Sequence, residues 1–289
     1  MTGLVYLILL LNLIFSLFAN TLLKSIVEKL PKAKSLSLQF FFAVLISLVL
    51  SFFTGGPKFG LFFLLISLVG FINSFGVYCQ WRAYDFSLSK TVMYIPLIGI
   101  VASVLATVFL GEALIYKNSL AVLLGVILLF SASFFMLKES KKIHSRVGFS
   151  WMGFVLGMVV ISGIATFLVK FFTFSVNLQT FLLYWYLGAF LGSLPIIWLG
   201  RGETKKLFQP LFWQIPLAAL GILLSLATVY WALSLAPTGI VLSIQNLGLV
   251  LFSAIIGWLL FKERKGILKY QVVGFIIGFL GLTLLIFGR

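Results

Sequence analysis

Six carboxamides stand inside long apolar runs of this sequence: Asn12, Asn20, Asn73, Gln80, Gln245 and Asn246. A carboxamide taken out of water without a partner is costly, so each is expected to face the interior of a helix bundle. There it offers hydrogen-bond donors and acceptors but no charge. For each one singly the competing reading is glue between helices. Gln245 and Asn246 are adjacent within their run, and neighbouring helical side chains point about 100° apart, so one suits a cavity and the other a helix contact. Ser162 and Thr166 complete the polar candidates. Aromatic faces accompany them. Tyr78, Trp81, Tyr84 and Tyr94 cluster in one part of the chain, and Tyr230 with Trp231 in another. Such faces suit a planar or apolar solute, or a cation in a dry site. Tyr78, Trp81, Tyr94, Tyr230 and Trp231 are therefore candidates for a cavity or gate, with an interfacial belt as the competing reading. Trp151, Trp198 and Trp213 read as belt.

Acid–base chemistry is placed elsewhere. The acidic residues Glu28, Asp85, Glu112, Glu139, Glu203 and Glu263 all fall at or near the ends of apolar runs. An ionised carboxylate at a bilayer centre costs at least ~2.5–3.5 kcal/mol, so one kept there usually carries a proton or holds a cation. Glu112, beside Lys117, and Glu263, among Lys262, Arg264 and Lys265, read as structural anchors or ion pairs; Asp85, between Arg82 and Lys90, reads as a surface ion pair. The lone Cys79 and lone His144 exclude a disulfide framework and a His- or Cys-rich metal site within one chain, and no cofactor is expected. No nucleophile-plus-base constellation suggests an enzyme.

The elements that must position these residues follow from composition. With 62% hydrophobic and 9% charged residues and a mean hydropathy of +1.20, the chain needs lipid as its solvent. A crossing takes about 20 apolar residues. Such runs lie at Leu4 to Leu23, Ser37 to Phe53, Phe59 to Tyr84, Thr91 to Leu110, Ser119 to Leu137, Gly148 to Phe171, Leu178 to Leu199, Leu211 to Leu235, Gly239 to Phe261 and Leu268 to Phe287. The first run has no basic leader and no cleavage pattern, and reads as a retained helix. The break at Ala236, Pro237, Thr238 and Gly239 carries no charge. Loops after odd-numbered runs, counted with Arg82 and Lys269 at the run ends beside them, hold 17 of the 21 Lys and Arg, including Lys24, Lys29, Lys32, Lys34, Lys141, Lys142, Lys205 and Lys206. That bias predicts cytoplasmic odd-numbered loops, both termini on the opposite face, and a multi-pass protein of a cell membrane, the bacterial inner membrane being the expected one. The net charge of +15 follows from topology and anionic lipid, and its dispersal over short loops argues against nucleic acid as a partner.

The halves resemble each other. The stretch RAYDFSLSKTVMYIPLIGIVASVLATVFLGEAL reads like YWALSLAPTGIVLSIQNLGLVLFSAIIGWLLFKER, with Glu112 and Glu263 closing matching runs about 150 residues apart. A unit of five crossings followed by its copy is necessarily inverted. The expected fold is an all-α integral membrane protein of ten transmembrane helices as two inverted five-helix repeats. These occupy residues 1–138 and 148–289, joined by a basic cytoplasmic linker, 139–147.

The Gly111-Glu112 pair about sixteen residues after Pro96, the Lys262-Glu263 echo, the ten runs and the repeat together resemble the EamA-type, ten-helix branch of the drug/metabolite transporter superfamily. The resemblance implies a central cavity lined by the first, third, fourth, sixth, eighth and ninth helices, and places Pro96 beside it as a gate or hinge. In the second half Gln245-Asn246 stands where the first has Pro96, a departure from symmetry between the two ends. Pro195 and Pro216 also interrupt helices. The pairs Gly153/Gly157, Gly188/Gly192 and Gly274/Gly278, with Gly281 beyond, read as close helix packing. The implied function is alternating-access transport of a neutral or zwitterionic small metabolite, such as an amino acid, by uniport or exchange. Sodium coupling stays open, and a lipid or lipid-linked-sugar translocase is the alternative. The expected partners are the small-molecule substrate and the lipid bilayer, with a monomer expected and a dimer as the alternative.

Overall fold

The protein is described from a computed structural model. It describes residues 3–53, 60–86, 88–92, 94–112, 145–199, 210–259 and 269–287, with a few isolated positions between these stretches. The expected fifth crossing, Ser119 to Leu137, lies mostly outside the described residues. So do Lys117, Glu139, His144, Glu203, Glu263 and most of the linker.

In hydrocarbon every backbone polar group must be satisfied within the chain, and apolar runs of this length do so as helices. Among the described residues they follow in order: α1 (Gly3–Lys29), α2 (Lys32–Phe52), α3 (Leu61–Phe86), a short α4 (Leu88–Val92), α5 (Ile95–Leu110), α6 (Ser145–Phe172), α7 (Leu178–Leu199), α8 (Gln214–Leu235) after a 3-10 turn at Pro210–Trp213, α9 (Thr238–Leu259) and α10 (Lys269–Phe287). Among the described residues six helices are long and apolar enough to cross a membrane: Gly3–Lys29, Lys32–Phe52, Phe62–Phe86, Ser150–Phe172, Leu178–Trp198 and Pro210–Leu235. Large apolar side chains such as Leu7, Leu10, Leu64, Val108 and Phe109 turn outward, as a lipid-solvated bundle requires.

Breaks between helices have local causes. Ala236 is extended (φ −146°, ψ 157°) because the following Pro237 disfavours helical geometry, and α9 starts immediately afterwards. Gly111 ends α5 in the left-handed conformation (φ 62°), which costs glycine little. The expected fourth crossing is not one helix. Its run takes in the last two residues of α4 and then α5, and Pro96 falls in the first turn of α5, where a missing N–H breaks no hydrogen bond. Pro216 likewise sits in the first turn of α8, while Pro195 lies inside α7.

Packing joins early helices to late ones. α1 lies against α8 and α9, α2 against α7 and α8, α3 against α6 and α7, and α5 against α6 and α9. The α3–α7 contact is backbone to backbone: a side chain on Gly70 would overlap the Trp185 carbonyl, and one on Gly188 or Gly192 the Ser67 or Phe71 carbonyl. Ser67 also donates to the Tyr184 carbonyl at 3.0 Å. Gly157 meets Cys79, whereas Gly153 faces open space.

Candidate functional site

The helices surround a cavity of about 260 Å3. α1 contributes Ser16, Ala19, Asn20 and Leu23; α3 contributes Asn73, Val77 and Gln80; and α5 contributes Ile95, Ile98 and Gly99. From the second half come Ser162, Ala165, Thr166 and Val169 on α6, Ile222, Ser225, Leu226 and Val229 on α8, and Leu242, Gln245, Asn246 and Leu249 on α9. Phe40 of α2 and Trp185 and Tyr186 of α7 close the wall. Among the described residues none that lines it has a charged side chain, and carboxamides and hydroxyls accompany aliphatic groups around it.

Hydrogen bonds fix part of this wall. Gln80 Nε2 donates to the Tyr84 hydroxyl at 2.8 Å, and that hydroxyl donates to Asn20 Oδ1 at 3.3 Å. Across the cavity the Ser16 and Ser225 hydroxyls are 2.6 Å apart. Thr166 Oγ1 donates to the Ser162 carbonyl at 2.7 Å. Asn73 Oδ1 and the Tyr186 hydroxyl are buried without a hydrogen-bond partner among the described residues. A buried polar atom in that condition is a place for a solute or water to bond.

α1 and α8 pack antiparallel, with Asn12 meeting Thr228 and Ala19 meeting Gly221, so the bundle has two ends, each marked by a buried lysine. At one end Lys24 Nζ donates to the Tyr84 carbonyl at 2.8 Å and pairs with Glu28 at 3.1 Å. Asp85 pairs there with Lys32 of α2 at 3.0 Å. Arg82 lies 5.3 Å from the Phe154 ring centre. At the other end Lys170 Nζ donates to the Leu233 carbonyl at 2.6 Å and the Ala236 carbonyl at 3.2 Å, and pairs with Glu112 at 3.2 Å. The second oxygen of Glu112 accepts the Thr238 N–H at 2.9 Å, capping α9. The left-handed Gly111 turns the chain so that Glu112 reaches both. The cavity lies between these ends, with Leu23 next to Lys24 and Val169 next to Lys170.

Of the residues singled out from sequence, the structure brings Asn20, Asn73, Gln80, Ser162, Thr166, Gln245 and Asn246 to the cavity. Both members of the adjacent pair on α9 line it, and Asn246 also packs against Gly99 of α5. The others lie elsewhere. Asn12 is buried between α1 and α8, donating to the Ser225 carbonyl at 2.8 Å and the Thr228 hydroxyl at 3.1 Å. Tyr78 and Trp81 pack in the core. Tyr94 meets the Trp151 ring edge-on at 5.6 Å. Tyr230 stacks on Phe181 at 4.4 Å, and its hydroxyl donates to the Phe172 and Val176 carbonyls. Trp231 points outward, 47% exposed, and Pro96 is buried in its helix start. Trp151 is buried with its N–H on Thr91, so it does not belong to a belt, whereas Trp198 and Trp213 are exposed. Sequence reasoning missed Ser16, Ser225, Phe40, Trp185 and Tyr186. Nothing about Phe40, Trp185 or Tyr186 distinguishes them among 32 Phe, 7 Trp and 9 Tyr.

Comparison with known proteins fits this architecture. Residues 149–287 match the EamA-like transporter family. A crystal structure, described only as that of a protein, superposes with a TM-score of 0.66 over 98% of this chain and 96% of its own, at 14% identity. At that identity the likeness is one of fold. No curated protein matches the sequence. The family match covers the second half of a multi-pass bundle of apolar helices and supports membership of the EamA-type drug/metabolite transporter family.

Proposed function

We propose that the cavity is the solute site of an alternating-access carrier for a neutral or zwitterionic small metabolite, an amino acid or similar, working by uniport or exchange. The observation that carries this reading is an uncharged, hydrogen-bonding cavity held between two ends that each close on a buried lysine. Its volume of about 260 Å3 lies under the ~300–1,000 Å3 of drug-sized pockets and suits a small solute. With no ionised group on the wall, a solute of net charge would lose its hydration without a counter-charge.

The full architecture belongs to the same proposal: ten crossings, residues 1–138 and 148–289 as inverted repeats, the linker 139–147 and the odd-numbered loops cytoplasmic, both termini opposite, a monomer in a cell membrane. The pattern of contacts supports the inversion. α1 on α8 is mirrored by α3 on α6, α1 on α9 by α5 on α6, and α2 on α8 by α3 on α7, while α2 meets α7 and α5 meets α9. Lys24 bonding the end of α3 is mirrored by Lys170 bonding the end of α8. Opening at one end then means releasing one lysine while the other stays closed.

Proteoliposomes holding the full chain should take up a neutral amino acid saturably, with or without proton and sodium gradients. Asn73→Leu and Gln245→Leu should each raise KM for that solute about tenfold, the equivalent of one hydrogen bond near 1.4 kcal/mol. Strict dependence on a proton gradient would overturn uncoupled transport. Scrambling of fluorescent lipid without solute uptake would replace the reading by a lipid translocase.

A further inference from the structure

Gly99 lines the cavity where α5 meets α9, and its missing side chain decides where a cavity carboxamide rests. A methyl group at position 99 would lie 2.5 Å from Asn246 Nδ2 and 3.2 Å from Leu242 Cβ. The first separation is well inside van der Waals contact, so an alanine there and the present Asn246 carboxamide exclude each other. The second is tight, but the neighbour need give by only a few tenths of an ångström. Asn246 is 6% exposed and also lines the cavity. A displaced carboxamide therefore has the cavity itself as its free space. The same device recurs on α3, where a methyl on Gly76 would lie 2.9 Å from the hydroxyl of Ser162, another cavity residue from the opposite half.

We propose that Gly99 is a specificity-determining residue: by leaving room for the Asn246 carboxamide against α5, it sets the largest solute the cavity admits. The inference rests on the cavity being the solute site. It extends that reading from what kind of solute is held to how large it can be, and to the residue that fixes the limit. Gly99 does not touch the solute through a polar group of its own; it acts through the position of Asn246.

The test compares wild type, Gly99→Ala, Asn246→Ser, the double variant G99A/N246S and the double variant G99A/L242A as full chains. Each is measured in proteoliposomes for uptake of L-serine and L-phenylalanine and in detergent for its thermal midpoint. Gly99→Ala should lower kcat/KM for phenylalanine at least tenfold more than for serine. G99A/N246S should restore the ratio, because serine at 246 leaves the methyl its space, and G99A/L242A should not. Restoration by L242A and not by N246S would show ordinary helix packing and overturn the proposal, as would an unchanged ratio in Gly99→Ala. A wild type that carries neither amino acid would overturn the solute reading of the cavity and the size limit with it. The midpoints would still decide the geometry in that case: recovery of the midpoint lost in Gly99→Ala is expected from N246S, and recovery from L242A alone refutes it.

Discussion

Replacing Lys170 by Met should destabilise the protein by about 3–5 kcal/mol, the range seen when one partner is removed from a buried ion pair. Lys170 is 6% exposed and satisfies three acceptors at once, the Leu233 and Ala236 carbonyls and the Glu112 carboxylate. Methionine keeps the apolar stem but leaves the carboxylate without its cation, on a side chain only 17% exposed, and two carbonyls without their donor. The loss should read as a lower thermal midpoint in detergent and a smaller monodisperse fraction after purification. K170M/E112Q should recover part of it, since a glutamine carbonyl oxygen still accepts the Thr238 N–H while carrying no charge. Glu112→Gln alone should cost less than Lys170→Met, because the ammonium keeps two carbonyl partners. A Lys170→Met protein that melts with wild type would mean the cluster contributes nothing to holding this end together.

The second large effect belongs to Gly188. A Cβ there overlaps the Ser67 carbonyl, a backbone group of α3 that cannot swing aside as a side chain can. Overpacking commonly costs about 1–3 kcal/mol and more where the obstacle is rigid. Gly188→Ala should therefore exceed that range, and Gly188→Leu should yield little folded protein by size-exclusion profile. Gly153→Ala is the matched control. Position 153 belongs to a pair with the same spacing, yet a methyl there meets nothing within 4 Å. It should be neutral or gain a few tenths to ~1 kcal/mol from helix propensity. Equal behaviour of the two variants would contradict the close approach of α3 and α7.

Those two glycines show where the sequence stopped being informative. A small-xxx-small spacing announces that some helix face can approach a neighbour, but the rotation of each helix decides which pair is used. The long apolar runs were legible because lipid imposes their length and composition directly, and the α8–α9 break was legible because Pro237 acts on the residue beside it. The short α4 was not, since the apolar run that continues into α5 begins at Thr91 and takes in only its last two residues. Carboxamides such as Asn73 and Gln245 could be picked out because amides are expensive in an apolar run, and the structure has them at the cavity. Asn12 stood out for the same reason but bonds α8 instead. Aromatic residues carried no comparable signal, so Trp185 and Tyr186 were overlooked while Tyr94 and Tyr230 were favoured. The long-range ion pairs were not legible: Glu112 meets Lys170, and Asp85 meets Lys32, across distances in sequence that only the fold closes.

The most heavily packed helix pairs all join a helix before residue 112 to one after residue 145. Neither half, then, carries its own finished interior. During synthesis the first helices enter the bilayer well before their main partners exist, and until α6, α7 and α8 are inserted their amide-bearing faces have only lipid, water or an insertion factor to meet. Residues 1–144 and 145–289 made as separate polypeptides in one cell should accordingly co-purify, and each alone should be degraded. For this chain the slow, vulnerable stage of biogenesis is the wait for the second half.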